Sequence, residues 1–226
     1  MHIEPGVVDG AKIVLSYGTA AASIGLAGKM VHDTFRDGAS ATSLLARSLI
    51  ATAAVLTFFQ LLPHQAVGVS EVHLILGSTL FLMLGAGPAA VGLSSGLLLQ
   101  GLLFAPLDLP QYGMNLTTLL VPLAAVSVLA QRIIPSGTRY ADLGYVQTFA
   151  LSSAFQLGIV GWVAFWAFYG KGFGAENIIA VGSFGAAYML VVLIEPLVDL
   201  AVLAMAKSVA QMDTPLLMQR RVLATA

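Results

Sequence analysis

Apolar residues run in long blocks along this chain, and polar residues collect in short clusters between them. Blocks near 10–31, 43–62, 114–131, 146–169 and 178–206 each approach or exceed the ~20 residues that an α-helix needs to cross a bilayer. Between Val72 and Phe104 the sequence is mostly apolar over 33 positions, interrupted at Gly85-Ala86-Gly87-Pro88. That stretch is either one overlong helix or two short ones joined at a tight turn. Neither half of it is comfortable as a full span, so local thinning or tilt is expected if it splits.

Charge decides between the two. With two helices the chain has seven spans, and an outside N-terminus puts Lys29, Arg36, Arg47, Arg132, Arg139, Lys207, Arg220 and Arg221 on the inner face. Only Lys12 and Lys171 then fall outside, the asymmetry that the positive-inside rule requires. A single helix over 72–104 moves Arg132 and Arg139 outside and spoils it. The expected fold is therefore all-α: a polytopic membrane protein of seven transmembrane helices, N-terminus outside and C-terminus cytoplasmic. The chain reads as one integral membrane domain over 1–226, with an N-terminal segment (1–9), a seven-helix bundle (10–206) and a cytoplasmic tail (207–226).

Composition agrees. Hydrophobic residues make up 58% of the 226, charged residues 9%, and mean hydropathy is +0.90. A soluble domain carries about 25% charge. The net charge of −1 gives no footing for nucleic acid. Cysteine is absent, so disulfides, thiolate metal sites and iron–sulfur clusters are excluded. The first eleven residues carry Glu4 and Asp9 and no basic n-region, so no cleavable signal is read and Met1 is expected to be retained. Small residues recur in the first span at Gly18, Ala22, Gly25 and Gly28, a row that lets helices approach closely in lipid.

The topology gathers candidate chemistry on the outer side. MHIEPG, PHQAVGVSEVH (63–73), APLDLPQYGMN (105–115) and YGKGFGAEN (169–177) all lie there, whereas His32 falls in an inner loop. A free α-amino group followed by histidine is a chelating unit. The amine of Met1, the deprotonated amide of His2 and the His2 Nδ1 close two fused rings around one ion and leave a fourth position open. Tetragonal nitrogen sites suit Ni(II) or Cu(II), and affinity rises through cobalt and nickel to copper. A second imidazole is the natural fourth ligand, with His73 the first candidate and His64 another. Binding requires deprotonated ligands and so weakens at low pH. Pro5-Gly6 would let the tail fold back on the bundle. Ser70, Gln60, Gln100 and Asn115 are polar candidates to orient the ligands or to bond helices together. In the last span, Glu195 and Asp199 share a helix face beside Pro196, either as a hydrogen-bonded structural pair or as a proton relay.

The segments MHIEPG, FFQLLPHQAVGVSEVHLILG and LGAGPAAVGLSSGLLLQGLLF resemble the CbiM/NikM family, the substrate-capture subunits of cobalt and nickel energy-coupling-factor ABC transporters. The matching residues are Met1-His2-Ile3, Gly6, Gln60, Pro63, Val72-His73-Leu74, Gly77, Leu84-Gly85, Pro88, Gln100 and Leu103-Phe104. Weaker matches are Gly113-Met114-Asn115 and Ile194-Glu195. The resemblance implies seven helices in a prokaryotic inner (plasma) membrane, and a metal, Co2+ or Ni2+, held by Met1, His2 and His73 as transported substrate. It implies no organic cofactor. Implied partners are a membrane coupling subunit and a pair of cytoplasmic ATPases, with a small auxiliary membrane subunit as a further candidate. No catalytic residue of its own is implied. The nearest approach to a Walker A motif, SIGLAGKM (23–30), lacks the first glycine and the Ser/Thr after lysine. The chain departs from the family at Glu71-Val72, where a small residue usually precedes the histidine, at APLDLPQYG and at Pro196. Two other readings stay open at this stage: a proton-coupled metal carrier built on Glu195 and Asp199, and an intramembrane metalloenzyme using His64, His73 and Glu71.

Overall fold

The computed structural model describes residues 2–210; Met1, Arg220, Arg221 and the tail beyond position 210 lie outside the described residues. Helix dominates. A 3-10 turn leads into α1 (Val14–Arg36), followed by α2 (Ala41–Leu61), α3 (Gly77–Leu84), α4 (Ala86–Leu103), α5 (Tyr112–Ile133), α6 (Tyr145–Lys171) and α7 (Ala175–Ala210). Five segments are long and apolar enough to cross a membrane: Ala41–Leu61, Ala86–Leu103, Pro106–Ile133, Tyr145–Lys171 and Ala175–Ala210. The Pro106–Ile133 segment, whose main part is α5, is the most enclosed of them. α1 is long enough to span, but its glycine, serine and threonine residues dilute its hydropathy. It also extends to Arg36, so His32 lies on an exposed helical turn and not in a loop.

The apolar stretch 72–104 breaks where glycine permits it. Gly85, at φ 94°, separates α3 from α4. The two pieces are unequal. α3 has eight residues, about 12 Å of helix, and cannot cross alone. The chain before it is a β-hairpin, β1 (His64–Val67) against β2 (Ser70–His73), where the sequence reading has only a loop. The N-terminal tail joins this hairpin. Ile3 bridges Ser70 in antiparallel sense, Glu71 N donates to the His2 carbonyl at 2.9 Å, and Glu4 N donates to Val69 O at 3.1 Å. A tail normally frays. This one is held beside β2 by that single bridge and its flanking hydrogen bonds, with Ile3, Val7 and Val8 fully buried.

Two glycines allow the close approach. A Cβ at Gly170 would run into the Val7 carbonyl, and one at Gly68 (φ 63°) would run into the Ala180 carbonyl. These contacts gather residues 2–12, the hairpin, the start of α5 and the α6–α7 corner at one end of the bundle. The other end carries Arg47 and Lys207. There Arg47 donates to the Leu84 carbonyl at 2.8 Å and Lys207 to the Ala141 carbonyl at 2.8 Å. On α1 the buried positions are Ser16, Ala20, Ser23 and Met30. The Gly18, Ala22, Gly25 and Gly28 row is exposed instead, and at its three glycines an added Cβ would meet nothing. Among the described residues the row packs against no helix.

Candidate metal centre

Period-two alternation in β2 puts the side chains of Glu71 and His73 on one face of the strand. The tail pairs alongside and brings His2 to them. One ligand atom from each of His2, Glu71 and His73 falls in a cluster whose members all lie within 4.8 Å of one another. The imidazoles of His2 and His73 stack in parallel, with centroids 5.7 Å apart and planes 6° from parallel. Phe59, from the last turn of α2, packs edge-on against both rings at 5.8 and 4.9 Å. This apolar wall restricts the rings' rotation and keeps water out.

His2 and His73 are 3% and 2% exposed. Yet His2 Nε2 and both ring nitrogens of His73 make no hydrogen bond among the described residues. Buried polar atoms are rarely left unpaired, and each costs about 1–3 kcal/mol when they are. His2 Nδ1 is paired, 2.8 Å from Glu71 Oε2. Burial lowers the pKa of His2 more than Glu71 raises it, so the ring favours the neutral form that ligates metals. Burial pushes Glu71 up, but its hydrogen bond and charge interaction with His2 outweigh this and hold the carboxyl below its ordinary value. Glu4 lies close by, with its pKa raised by partial burial and by the charges of Glu71 and Asp108. The surroundings are therefore anionic.

The candidate supporting residues divide. Ser70 Oγ donates to the His2 carbonyl at 2.8 Å, and Asn115 Oδ1 accepts from Ile3 N at 2.9 Å, so both fix the backbone on either side of the His2 ring. Gln100 and Asn115 line a small cavity beside His2 together with Asp108 and Tyr112. Gln100 Oε1 and Asn115 Nδ2 make no hydrogen bond among the described residues. Gln60, next to Phe59 on α2, forms no hydrogen bond with His2, Glu71 or His73. His64 is the register partner of His73, but it is exposed and its Nδ1 sits 3.3 Å from the Leu62 carbonyl. Met1 lies outside the described residues.

Glu195 and Asp199 form a separate, fully buried layer. Glu195 accepts from the backbone N–H of Ile75, from that of Leu76 at 3.0 Å and from Gln156 Nε2. Gln156 Oε1 in turn accepts from the Tyr188 hydroxyl at 2.9 Å. Asp199 accepts from Ser78 Oγ at 2.6 Å and from Thr79 Oγ1. Both carboxylates thus hold the corner that follows His73.

Glu71 is the member of the cluster that the sequence places only in the metalloenzyme alternative, not beside Met1, His2 and His73. The available signal was the i, i+2 spacing of Glu71 and His73, which places them together only if 70–73 is a strand.

Two solved structures share this fold. A crystal structure of a transition metal transporter superposes with a TM-score of 0.69 at 16% identity, covering 94% of this chain and 95% of that one. A truncated transition metal transporter superposes with a TM-score of 0.62 at 17% identity, covering 90% and 97%. No curated protein matches the sequence significantly. The family model described as CbiM, cobalt uptake substrate-specific transmembrane region, matches residues 2–212. With its five apolar membrane-length helices and a match over nearly its whole length, this chain belongs to the CbiM family and is a multi-pass protein of the prokaryotic plasma membrane that serves metal transport.

Proposed function

We propose that this chain is the substrate-capture subunit of an energy-coupling-factor transporter and takes up Co2+ or Ni2+ from the outer side. The observation that carries this reading is the pair of buried, stacked imidazoles with three ring nitrogens that make no hydrogen bond among the described residues. The Met1 amine, the His2 amide and Nδ1, and His73 supply four nitrogens to the ion. The bundle crosses seven times, with α3 and the hairpin together making one passage. Residues 2–12 face outward and the Arg47–Lys207 end faces the cytoplasm, in keeping with the charge asymmetry. A membrane coupling subunit and an ATPase pair drive release, and the small auxiliary membrane subunit is a further partner.

The open row on α1 supports a helical partner, since small residues pay off only when another helix lies against them. The rival readings draw less support. The carboxylates a proton carrier would need are both occupied by several donors, and the His64 that an enzyme would need faces solvent.

The test is a titration of the purified protein with Co2+ and Ni2+, beside ATP-dependent uptake in cells carrying the coupling subunit and ATPases. The wild-type chain should bind and transport. Gly25→Leu should bind normally, because no described residue lies within 4 Å of an added Cβ, and lose most uptake. Failure of the wild type to bind either ion defeats the proposal. Asn115→Ala releases Ile3 and with it His2, and should weaken binding about ten-fold in the same titration.

A further inference from the structure

We infer that Glu71 is itself a metal ligand, a fifth donor that sets which ion the site prefers. This rests on the reading of the cluster as a metal centre and adds to it. Glu71 Oε2 stands 2.8 Å from His2 Nδ1. Donor atoms bound side by side at ~2.1 Å from one ion stand about 3 Å apart, so the carboxylate already occupies a ligand's distance from the nitrogen that closes the chelate. Its position is enforced by backbone, because Glu71 N donates to the His2 carbonyl and Ser70 Oγ to that same oxygen. The side chain is 24% exposed, and His2 supplies its hydrogen bond among the described residues. An ion displacing the proton between the two would meet both atoms at once.

Charge points the same way. A divalent ion held by neutral imidazoles and one deprotonated amide leaves a net positive charge in a nearly dry site. Burying an uncompensated charge is expensive. The Glu71 carboxylate brings the sum to zero.

Coordination number then carries the selectivity. Four nitrogens including an amide favour planar Ni(II) or Cu(II). A carboxylate oxygen added to that set favours a five-coordinate ion and narrows the advantage of the planar ones. Glu71 thereby moves the preference toward Co2+.

The experiment titrates the full chain in detergent with Co2+ and with Ni2+, for wild type and Glu71→Gln, and measures the magnetic susceptibility of each Ni2+ complex. The wild-type Ni2+ complex should be paramagnetic and five-coordinate. Glu71→Gln should bind Co2+ about ten-fold more weakly, lose less for Ni2+, and give a diamagnetic four-coordinate Ni2+ complex. Two results would overturn the assignment and leave the metal centre standing. One is a diamagnetic wild-type Ni2+ complex, which needs no variant to fold. The other is a Glu71→Gln protein with wild-type melting temperature, wild-type affinities and unchanged magnetism. Absence of binding by the wild type would overturn the metal centre itself, and this assignment with it.

Discussion

His73→Ala is expected to weaken Co2+ and Ni2+ binding by more than about 100-fold, beyond the 10–100-fold that loss of a mere supporting partner costs. The expectation is sharp because His73 contributes so little else. Neither ring nitrogen makes a hydrogen bond among the described residues, so alanine orphans no donor or acceptor there. The hairpin that carries it is fixed by backbone pairing, which the substitution leaves alone. What disappears is one imidazole and its packing on Phe59 and His2. Folding should persist, and a melting curve beside the metal titration will show whether it does. A second change removes a different part of the same chelate. Acetylation of the Met1 α-amino group takes that nitrogen out of the fused rings, while the Ile3–Ser70 bridge and the Asn115 anchor remain available. It too should abolish tight binding. Wild-type affinity in either protein would mean the ion is held elsewhere.

The helices were legible in the sequence for a simple reason: lipid leaves no choice but to satisfy backbone groups internally, so long apolar runs become helices. The apolar blocks at 43–62, 114–131 and 146–169 sit inside α2, α5 and α6 to within a few residues, and Gly85 marks a true break. The hairpin was not legible. HQAVGVSEVH alternates only weakly, and the tail that bridges to it lies some 65 residues earlier, a pairing that no local pattern announces. Without the strand, Glu71 stood beside His73 only in the metalloenzyme alternative and not among the ligands of the metal-capture reading. The row at Gly18, Ala22, Gly25 and Gly28 was visible, but a row of small residues does not say whether its partner is in the same chain. Glu195 and Asp199 were visible as a pair on one helix face. Their partners, some 120 positions away at the start of α3, were not.

That last pairing explains how half a span can exist, and it predicts the second large effect. Between His73 and Gly77 the backbone is neither strand nor helix, yet it lies against the middle of α7, deep in the bundle. Irregular backbone at that depth survives only where protein groups satisfy it. Leu76 also holds a left-handed conformation, φ 54°, which costs a non-glycine residue energy. Glu195 offsets both by taking the N–H groups of Ile75 and Leu76 at the N-terminus of α3, where the helix dipole favours negative charge. Glu195→Ala removes three accepted hydrogen bonds and leaves Ile75 N, Leu76 N and Gln156 Nε2 without that acceptor. Buried donors so orphaned cost about 1–3 kcal/mol each in soluble proteins, and nearer 0.6–1.7 per bond measured in membranes. A loss of about 2–4 kcal/mol is therefore expected, read as a lower melting temperature in detergent. Glu195→Gln keeps one carbonyl oxygen and should lose roughly half as much. Because the corner begins two residues after His73, metal affinity should fall with stability in the alanine variant and recover in part in the glutamine one. Unchanged melting of Glu195→Ala would mean that the corner is held by its packing, and that the carboxylate is present for something other than structure.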